Sequence, residues 1–402
     1  MKHGKRKGIG VTLVGASGRG NLPFDYLQRH PAEGYIAGIY DTIPERGEFV
    51  KRKFNGPDVT IFKSLGAAVS DPRTDAVFIG TPDYAHTAPA LAALKAGKHV
   101  FCEKPLATTQ ADLDAVCHAA EKSDRIFYLG MNLRHSPVHA KMHELVQAGR
   151  IGRLVMIEAN EYYYGGRTLF RRWNRLRRNS GGMWITKACH DFDVLNWFTG
   201  GNPVRVYATC SLSHYKPNPK AGPNCRDCRI TQSCPDYYDV ANDPHKYWEL
   251  MEITDRTYGF PHDICLYNSD KDTFDNGMAI VDYDNDIRGS FAMTVVSSRE
   301  NRQMRLTGTD GALEGDLETG TVTHWQRHTF KKTVLDVRQL MESGHHGADE
   351  GIMADFFRCC RTGAKPRSNY LDGRRSVMVG LAATKSSDTG RPVAIDVSLN
   401  AI

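Results

Sequence analysis

Short apolar runs alternate with helix-like segments over the first third of the chain. The runs are rich in β-branched and aromatic residues, as buried strands are; they are GIGVTLVG, YIAGIYD, DAVFIGTP, HVFCEKP and IFYLGMN. Between them, apolar positions recur with helical spacing, as in NLPFDYLQRH, HTAPALAALKAG and TQADLDAVCHAAEKSD. This alternation predicts an α/β domain in which helices wrap a parallel sheet.

The pattern changes after about residue 150. Strand-like segments now follow one another with turns but mostly without helices, as in LVMIEANEYYY, VRVYATCSLSHY, GMAIVDYD and RGSFAMTVVSS. Strands joined in this way favour an antiparallel sheet. Helical patterns return in ADEGIMADFFRCCRTG and GRRSVMVGLAATKSSDTG. We expect two domains, residues 1–135 and 136–402, with an insert at about 212–275 and tail helices that pack back on the first domain.

Composition and charge narrow the class of protein. The 402 residues are 41% hydrophobic and 24% charged, which is ordinary for a globular chain. The net charge of +6 is small and spread among acidic residues, so it does not suggest nucleic-acid binding. No apolar run approaches the roughly 20 residues of a membrane span, and no secretory signal is evident. Ten scattered cysteines favour a reducing cytoplasm.

The segment VGASGRGNLPFDYL follows the first predicted strand and opens the first predicted helix. A dinucleotide-binding turn reads G-x-G-x-x-G in this context. Here Gly15 and Gly20 hold the outer positions, Ser17 holds the middle one, and Gly18 comes one residue later. Glycines let backbone N–H groups approach a pyrophosphate, and a helix N-terminus favours the anion. We therefore expect this turn, including Arg19, to bind a dinucleotide.

The end of the second predicted strand carries an acid. Asp41 lies 21 residues after Gly20, which matches the acid that binds an adenosine ribose. A carboxylate at this place favours NAD because it would repel a 2′-phosphate. Arg46, a few residues further on, keeps NADP open.

A longer stretch resembles a known family. GTPDYAHTAPALAALKAGKHVFCEKPLA (Gly80 to Ala107) resembles the glucose–fructose oxidoreductase / inositol dehydrogenase (Gfo/Idh/MocA) family, above all in its E-K-P. The similarity continues in SGGMWITKACHDFDVLNWFTG, in LTGTDGALEGDL and in the tail. It implies an N-terminal Rossmann domain and a C-terminal α+β domain with an open, mostly antiparallel sheet that often builds oligomers. It also implies NAD(P)-dependent oxidation or reduction of a sugar or cyclitol hydroxyl.

The resemblance assigns two catalytic residues. Lys104 matches the family's active-site lysine, which would hydrogen-bond the substrate hydroxyl, and the following bond to Pro105 is usually cis. His190 matches the family's general base, a role that suits histidine near neutral pH. We also expect cofactor contacts from Thr81, Pro82, His86, Glu103, Lys104 and Asn132.

The histidine motif departs from the family pattern. The family commonly has an aspartate four residues before the histidine, where this chain has Thr186. Thr186 can hydrogen-bond an imidazole but cannot stabilise its charge. Lys187 lies three residues before His190, on the same helix face. Our hypothesis is that Lys187 joins the catalytic site and shares the proton chemistry or binds a substrate oxygen.

Several residues are candidates for substrate binding. RRWNRLRRN contains five arginines, which form either a solvated or oligomer-contact loop or an anion-binding wall for a uronate or a phosphorylated sugar. Tyr163 and Trp173 offer aromatic surfaces for a sugar. HHGADEG opens the tail helix, where His345 or His346 would touch the substrate or serve only as a cap region. The substrate candidates are Tyr163, Arg172, Trp173, Thr186 and His346.

The predicted insert contains CRDCRITQSC, with Cys225, Cys228 and Cys234. Their spacing resembles part of a structural zinc site, which needs four ligands. His214, His245 or Cys210 would supply the fourth, and free thiols in a loop are the alternative.

The sequence therefore predicts a cytoplasmic, homo-oligomeric NAD(P)-dependent oxidoreductase with a carbohydrate substrate and no nucleic-acid or membrane partner. Two alternatives stay open. One is a glycosidase that uses NAD for a transient oxidation with no net redox change. The other is a nucleotide-binding regulator without turnover.

Overall fold

The computed structural model describes residues 8–16, 18–240, 242, 248–259, 261–341, 344 and 347–399. Four residues of interest lie outside this part of the chain: Ser17, His245, His345 and His346. Across the described residues, no helix combines the length and the apolar character that a bilayer crossing requires.

The first sheet has six parallel strands in the order β3-β2-β1-β4-β5-β6. These strands are β1 (Ile9–Val14), β2 (Gly34–Tyr40), β3 (Thr60–Ile61), β4 (Ala76–Ile79), β5 (His99–Cys102) and β6 (Phe127–Leu129). All four residues of β4 are fully buried, because helices cover both faces of the sheet. The order reverses between β1 and β4, which is where such sheets bind ligands at their carboxyl edge. The predicted Rossmann fold is confirmed.

Helices follow the strands as predicted. They are α1 (Leu22–Arg29), α2 (Pro44–Lys53), α3 (Leu65–Ser70), α4 (Thr87–Lys95), α5 (Gln110–Glu121) and α6 (Pro137–Gln147). Side chains of Ser64, Thr109 and Ser136 cap the starts of α3, α5 and α6 by accepting backbone N–H bonds. Gly97 takes a left-handed φ of 66° just after α4, a conformation that commonly ends a helix.

The second sheet has nine strands in the order β14-β13-β12-β11-β7-β10-β9-β8-β15. β7 and β10 pair in parallel and the other neighbours are antiparallel. The strands are β7 (Leu154–Tyr162), β8 (Pro203–Ser211), β9 (Asn276–Tyr283), β10 (Arg288–Thr294), β11 (Gln303–Gly308), β12 (Gly311–Asp316), β13 (Thr321–Gln326), β14 (Lys332–Asp336) and β15 (Val393–Ala394). Burial alternates along β9, so one face packs against helices and the other is exposed. The predicted open, mostly antiparallel sheet is confirmed.

Helices of the second part connect this sheet to the first domain. They are α7 (Gly166–Leu169), α8 (Arg177–Ser180), α9 (Met183–Thr186), α10 (Cys189–Thr199), α11 (Trp248–Tyr258), α12 (Ala348–Thr362) and α13 (Tyr370–Thr389). α10 and α13 pack together under the sheet. α12 instead joins the core of the first domain, where Phe356 packs on Phe101 and Phe357 stacks on Tyr26.

Arg134 joins the two domains through buried charge. Its guanidinium binds both carboxylate oxygens of Asp193 in α10, at 2.7 and 2.8 Å, and lies 3.1 Å from Asp372 in α13. It also donates to the carbonyl oxygen of Arg367 at 2.7 Å. Burial raises the pKa of Asp193 to about 6 even with this partner, so the pair stands in a strongly desolvated environment.

Arg134→Met is expected to lower the free energy of unfolding by about 3–5 kcal/mol, because Asp193 is left buried without its counterion. Urea denaturation at pH 8 measures the change. Arg338→Met is the matched control, since its ion pair with Asp336 is exposed to solvent. Equal unfolding midpoints for the two variants would contradict the role of Arg134.

Candidate active site

Three glycines make the closest backbone contact at the switch point of the first sheet. A Cβ on Gly20 would lie 2.1 Å from the carbonyl oxygen of Gly15, and one on Gly15 would lie 2.7 Å from the backbone of Gly80. Gly15 also has a φ of +96°, a backbone conformation that residues other than glycine rarely adopt. Gly18, by contrast, is exposed and faces open space. The turn is therefore tight against β4 and open on its outer side.

Arg19 ties this turn to two distant segments. Its Nε lies 2.9 Å from Glu103, the residue before Lys104, and its Nη1 lies 2.8 Å from Asp349 in the first turn of α12. Burial disfavours the charge of Arg19, but the two carboxylates outweigh it and raise its pKa. The guanidinium expected to touch the cofactor thus also fixes the position of the turn.

Asp41, the acid that follows β2, binds the glycine turn. Its Oδ2 accepts the N–H of Ala16 at 2.7 Å, and its Oδ1 accepts the N–H of Ile43 at 2.9 Å. Arg46 lies 3.9 Å from Oδ1. Asp41 and Arg46 are both buried, at 8% and 7% exposure.

The segment after β4 contributes Thr81, Pro82 and His86. Thr81 Oγ1 is buried and has no hydrogen-bond partner among the described residues. Pro82 precedes a short 3-10 helix, Asp83–Ala85. The two ring nitrogens of His86 lie 2.7 Å from the carbonyl oxygen of Pro105 and 3.0 Å from that of Thr81, so its ring holds backbone segments together. Asn132, after β6, is buried at the same edge.

These features fit a nicotinamide dinucleotide. A tight glycine cradle opens a helix, a carboxylate ends the second strand, and the buried Thr81 hydroxyl lacks an internal partner. Backbone N–H groups of such a turn suit a pyrophosphate, and the carboxylate suits ribose hydroxyls.

Lys104 follows β5 and reaches the second domain. The bond to Pro105 is cis, as the resemblance implied. The Lys104 ammonium donates to the carbonyl oxygen of Thr186 at 2.8 Å. It also acts electrostatically on Cys189, in the first turn of α10, although burial dominates and raises the pKa of that thiol to about 12. The ammonium therefore approaches the helix turn that carries His190, which is half-buried.

Asp83 is a neighbour of Lys104 that the sequence analysis missed. Burial raises the pKa of Asp83 to about 6, although Lys104, His86 and the Thr186 hydroxyl lower it in part. Its Oδ2 has no hydrogen-bond partner among the described residues. The position of Asp83 just after β4, at the carboxyl edge of the sheet, was a signal that could have identified it.

Lys187 faces a buried carboxylate rather than solvent. Its Nζ lies 2.9 Å from Oε1 of Glu161 in β7 and 4.3 Å from the centre of the Tyr163 ring. Arg302 lies 3.0 Å from the same glutamate and 2.7 Å from Asp191. Burial alone would raise the pKa of Glu161, but Arg302 and Lys187 lower it, so the side chain is a carboxylate at neutral pH. Glu161 gave no sequence signal, since it is one residue in an alternating strand.

Arg172 lies near Tyr163, and Trp173 contacts the segment after β4. Trp173 meets Tyr84 edge to face at 6.2 Å between ring centres. Arg172 is exposed to solvent, yet protein atoms crowd its guanidinium and lower its pKa, while the nearby Tyr163 opposes this shift. No carboxylate forms an ion pair with Arg172 within the described ranges.

Three other arginines of the run are used within the fold. Arg171 is buried and donates to the carbonyl oxygens of Ile264 and Asp236. Arg175 pairs with Asp270, and Arg177 pairs with Asp388. Arg178 is exposed and acts electrostatically on Asp270. The five arginines therefore do not form a continuous anion-binding wall, and Arg172, near Tyr163, remains the candidate for an anion contact.

The cysteines of the insert come together without forming a metal centre. Cys225, Cys228 and Cys234 line one small cavity with Cys265, which the sequence analysis did not consider. All four are free thiols. In the part of the chain that the structure describes, no group of three or more histidine, cysteine or acidic side chains is arranged to hold an ion. The expected zinc site is thus not supported, and Cys210 lies in β8 away from this cavity.

Both parts of the chain match models of known protein families. Residues 9–131 match the Gfo/Idh/MocA family model described as an oxidoreductase family with an NAD-binding Rossmann fold. Residues 143–395 match the model of the C-terminal alpha/beta domain of the same family.

Individual relatives are more distant. YteT of Bacillus subtilis, which carries the provisional name of an oxidoreductase, is 27% identical to this chain. The match covers 95% of this chain and 97% of YteT. A 2,7-anhydro-N-acetylneuraminate hydratase of Mediterraneibacter gnavus is 27% identical over 50% of this chain and 52% of its own length. Levoglucosan dehydrogenase in complex with NADH shares the fold, with a TM-score of 0.77 and 18% identity over 97% of this chain and all of its own.

We compare the free energy of unfolding of Asp83→Asn with that of the wild type. The difference is expected to shift in favour of the variant by about 2 kcal/mol as the pH rises from 4 to 8. The raised pKa means that the folded state favours the protonated carboxyl, so this contribution is present at low pH and is lost as the pH passes through about 6. The asparagine is neutral throughout and does not lose it. Urea denaturation of both proteins across this range measures the difference, and a difference that does not change with pH would contradict the assignment.

Proposed function

This chain belongs to the Gfo/Idh/MocA oxidoreductase family, and we propose that it transfers hydride between NAD and a hydroxyl or keto carbon of a sugar, sugar acid or cyclitol. The observation that carries this proposal is the position of Lys104. Its ammonium lies at the carboxyl edge of the first sheet and contacts Thr186 of the second domain, four residues before His190.

Lys104 is proposed to hold the substrate oxygen. An ammonium has three donors, of which the carbonyl oxygen of Thr186 takes one. The remaining donors suit a substrate hydroxyl and stabilise the negative charge that develops on its oxygen. Because Thr186 fixes the lysine before substrate arrives, little reorganisation is needed during the reaction.

His190 is proposed to exchange the hydroxyl proton. It lies in the first turn of α10, half-exposed and close to the lysine's helix contact. Histidine is the side chain best suited to general acid–base work near neutral pH. Asp83, whose pKa is about 6, is a second buried group that can hold a proton beside Lys104.

The cofactor is proposed to be held by the glycine turn, Asp41 and Thr81. When bound, NAD supplies a hydride acceptor. Gly15 and Gly20 keep the turn close to β4, Asp41 offers its carboxylate to ribose hydroxyls, and Thr81 offers its hydroxyl. Arg19 and Glu103 set the turn and the lysine segment in fixed relation.

Lys187 and Arg172 favour a substrate with negative charge. Both lie near Tyr163, and Arg172 has no carboxylate partner in the described part of the chain. A guanidinium that is crowded by protein but uncompensated is suited to bind a carboxylate in two-point geometry. Within the proposed classes, this favours a sugar acid. Lys187 is proposed to bind a second substrate oxygen, held by Glu161.

A reaction without net redox change is the second candidate. Thr186 stands where the family commonly has a carboxylate beside the histidine, so the proton chemistry differs from that of the dehydrogenase pattern. The relative named as a hydratase shows that similar chains include enzymes outside the dehydrogenase class. A transient oxidation on bound NAD followed by elimination or glycoside cleavage would use the same lysine and histidine.

Self-association through the outer face of the second sheet, which was expected from the sequence, stays a prediction. Met278 and Ile280 of β9 are 62% and 54% exposed there, beside the exposed Tyr207 of β8. Such an apolar surface is typical of a contact between copies.

Lys104→Met is expected to reduce kcat about 100-fold or more while NADH still binds, because the variant loses a donor to the reacting oxygen but no cofactor contact of the glycine turn. Wild type and variant are given NAD with a panel of sugars, hexuronates, cyclitols and glycosides. Absorbance of reduced nicotinamide and product chromatography are followed together.

The same assay separates the candidate functions. Net NADH formation supports the dehydrogenase, and cleavage or dehydration without NADH supports the second candidate. NADH binding without any turnover would favour a regulator and would contradict both. Lys187→Met in the same panel tests the accessory cation, whose role fails if turnover is unchanged.

Arg172→Met is expected to raise KM for a hexuronate roughly tenfold or more, since a charge-assisted hydrogen bond contributes about 1.5–3 kcal/mol. KM for the matching neutral hexose should change little. Arg178→Met, an exposed neighbour in the same run, is the control. An equal rise for charged and neutral substrates would contradict a carboxylate contact.

A further inference from the structure

The insert between β8 and β9 crosses to the first domain. Its helix α11 packs against α2, the helix that follows Asp41. Met251 and Ile253 of α11 are buried, at 8% and 6% exposure. A segment of the second domain therefore covers the adenosine end of the proposed cofactor site.

A specific polar contact is made under this cover. Arg46, in the first turn of α2, donates from Nη2 to Thr254 Oγ1 at 2.7 Å. Its Nη1 lies 3.9 Å from Asp41 Oδ1. The guanidinium thus spans from the insert to the ribose-binding acid, and it is only 7% exposed.

This geometry bears on the choice between NAD and NADP. NADP differs from NAD by a phosphate on the 2′-oxygen of the adenosine ribose, which is the oxygen that an acid such as Asp41 contacts. Enzymes that accept this phosphate commonly use an arginine close to the same place. Arg46 lies five residues after Asp41 in the sequence, as such an arginine would. Its Nη2 is engaged by Thr254, however, and its Nη1 lies near Asp41.

We propose that Thr254 is a specificity-determining residue, which holds Arg46 beside Asp41 and so makes the enzyme select NAD over NADP. The inference rests on the proposed function, since it concerns the same cofactor site. The hydroxyl of Thr254 fixes the direction of the guanidinium, and α11 limits the space into which the guanidinium can turn. Selectivity then depends on a residue outside the nucleotide-binding domain.

Thr254→Val tests this role with little change in side-chain volume. The valine cannot accept the Arg46 N–H, so the guanidinium loses the contact that directs it away from a 2′-phosphate. Binding of NADH and of NADPH is measured by calorimetry or nicotinamide fluorescence on the full-length protein. The readout is the dissociation constant for NADPH divided by that for NADH. Measuring this ratio does not require the substrate to be known.

Two variants serve as controls on the same helix. Thr254→Ser keeps an accepting hydroxyl and should restore the wild-type ratio. Thr257→Val makes the same substitution at an exposed site whose hydroxyl donates to the carbonyl oxygen of Ile253 in the same helix. It should leave the ratio unchanged.

The wild type is expected to bind NADH about tenfold or more tightly than NADPH, and Thr254→Val should reduce this ratio about fivefold or more, mainly by tighter NADPH binding. An unchanged ratio in Thr254→Val, or the same change in Thr257→Val, would overturn the inference while leaving NADH binding intact. A wild type that prefers NADPH would also overturn it. Failure of the wild type to bind either dinucleotide would instead remove the proposed function and the inference with it.

Discussion

The hydrogen bond from the Lys104 ammonium to the carbonyl oxygen of Thr186 joins the two halves of the candidate active site. Lys104 follows a strand of the parallel sheet, and Thr186 ends a short helix that leads into His190. Because the acceptor is a backbone oxygen, the contact depends on the path of the chain rather than on the side chain at position 186. The lysine therefore keeps this contact although Thr186 stands where the family commonly has an aspartate.

Charge balance is the second constraint on this site. Glu161 receives Lys187 and Arg302, and Arg302 continues to Asp191, the residue after His190. Each of these charges is largely removed from water. The free-energy cost of this desolvation is offset by the oppositely charged group that each one faces. Lys187 and Arg302 are therefore held by carboxylates from β7 and α10, and the two carboxylates differ in pKa. Glu161 remains ionised, whereas burial raises the pKa of Asp191.

The sequence was sufficient for the fold and for the order of the domains, because hydrophobic periodicity and the glycine turn are local signals. It assigned Asp41 from its place at the end of a strand, and it assigned Lys104 from the resemblance of the E-K-P motif. It could not locate Glu161, since a buried carboxylate in a strand is recognised only from its three-dimensional partners. The insert shows the same limit: Thr254 and Cys265 gained importance only when folding brought them beside residues far away in the chain.

The return of α12 to the first domain has a consequence for biosynthesis. Ile352, Met353, Phe356 and Phe357 are part of the same apolar core as β1 and β2. The core of the first domain can therefore be completed only after α12, Ala348–Thr362, has been translated. The first domain keeps part of its apolar surface exposed until α12 has been translated, and such surface promotes aggregation during synthesis.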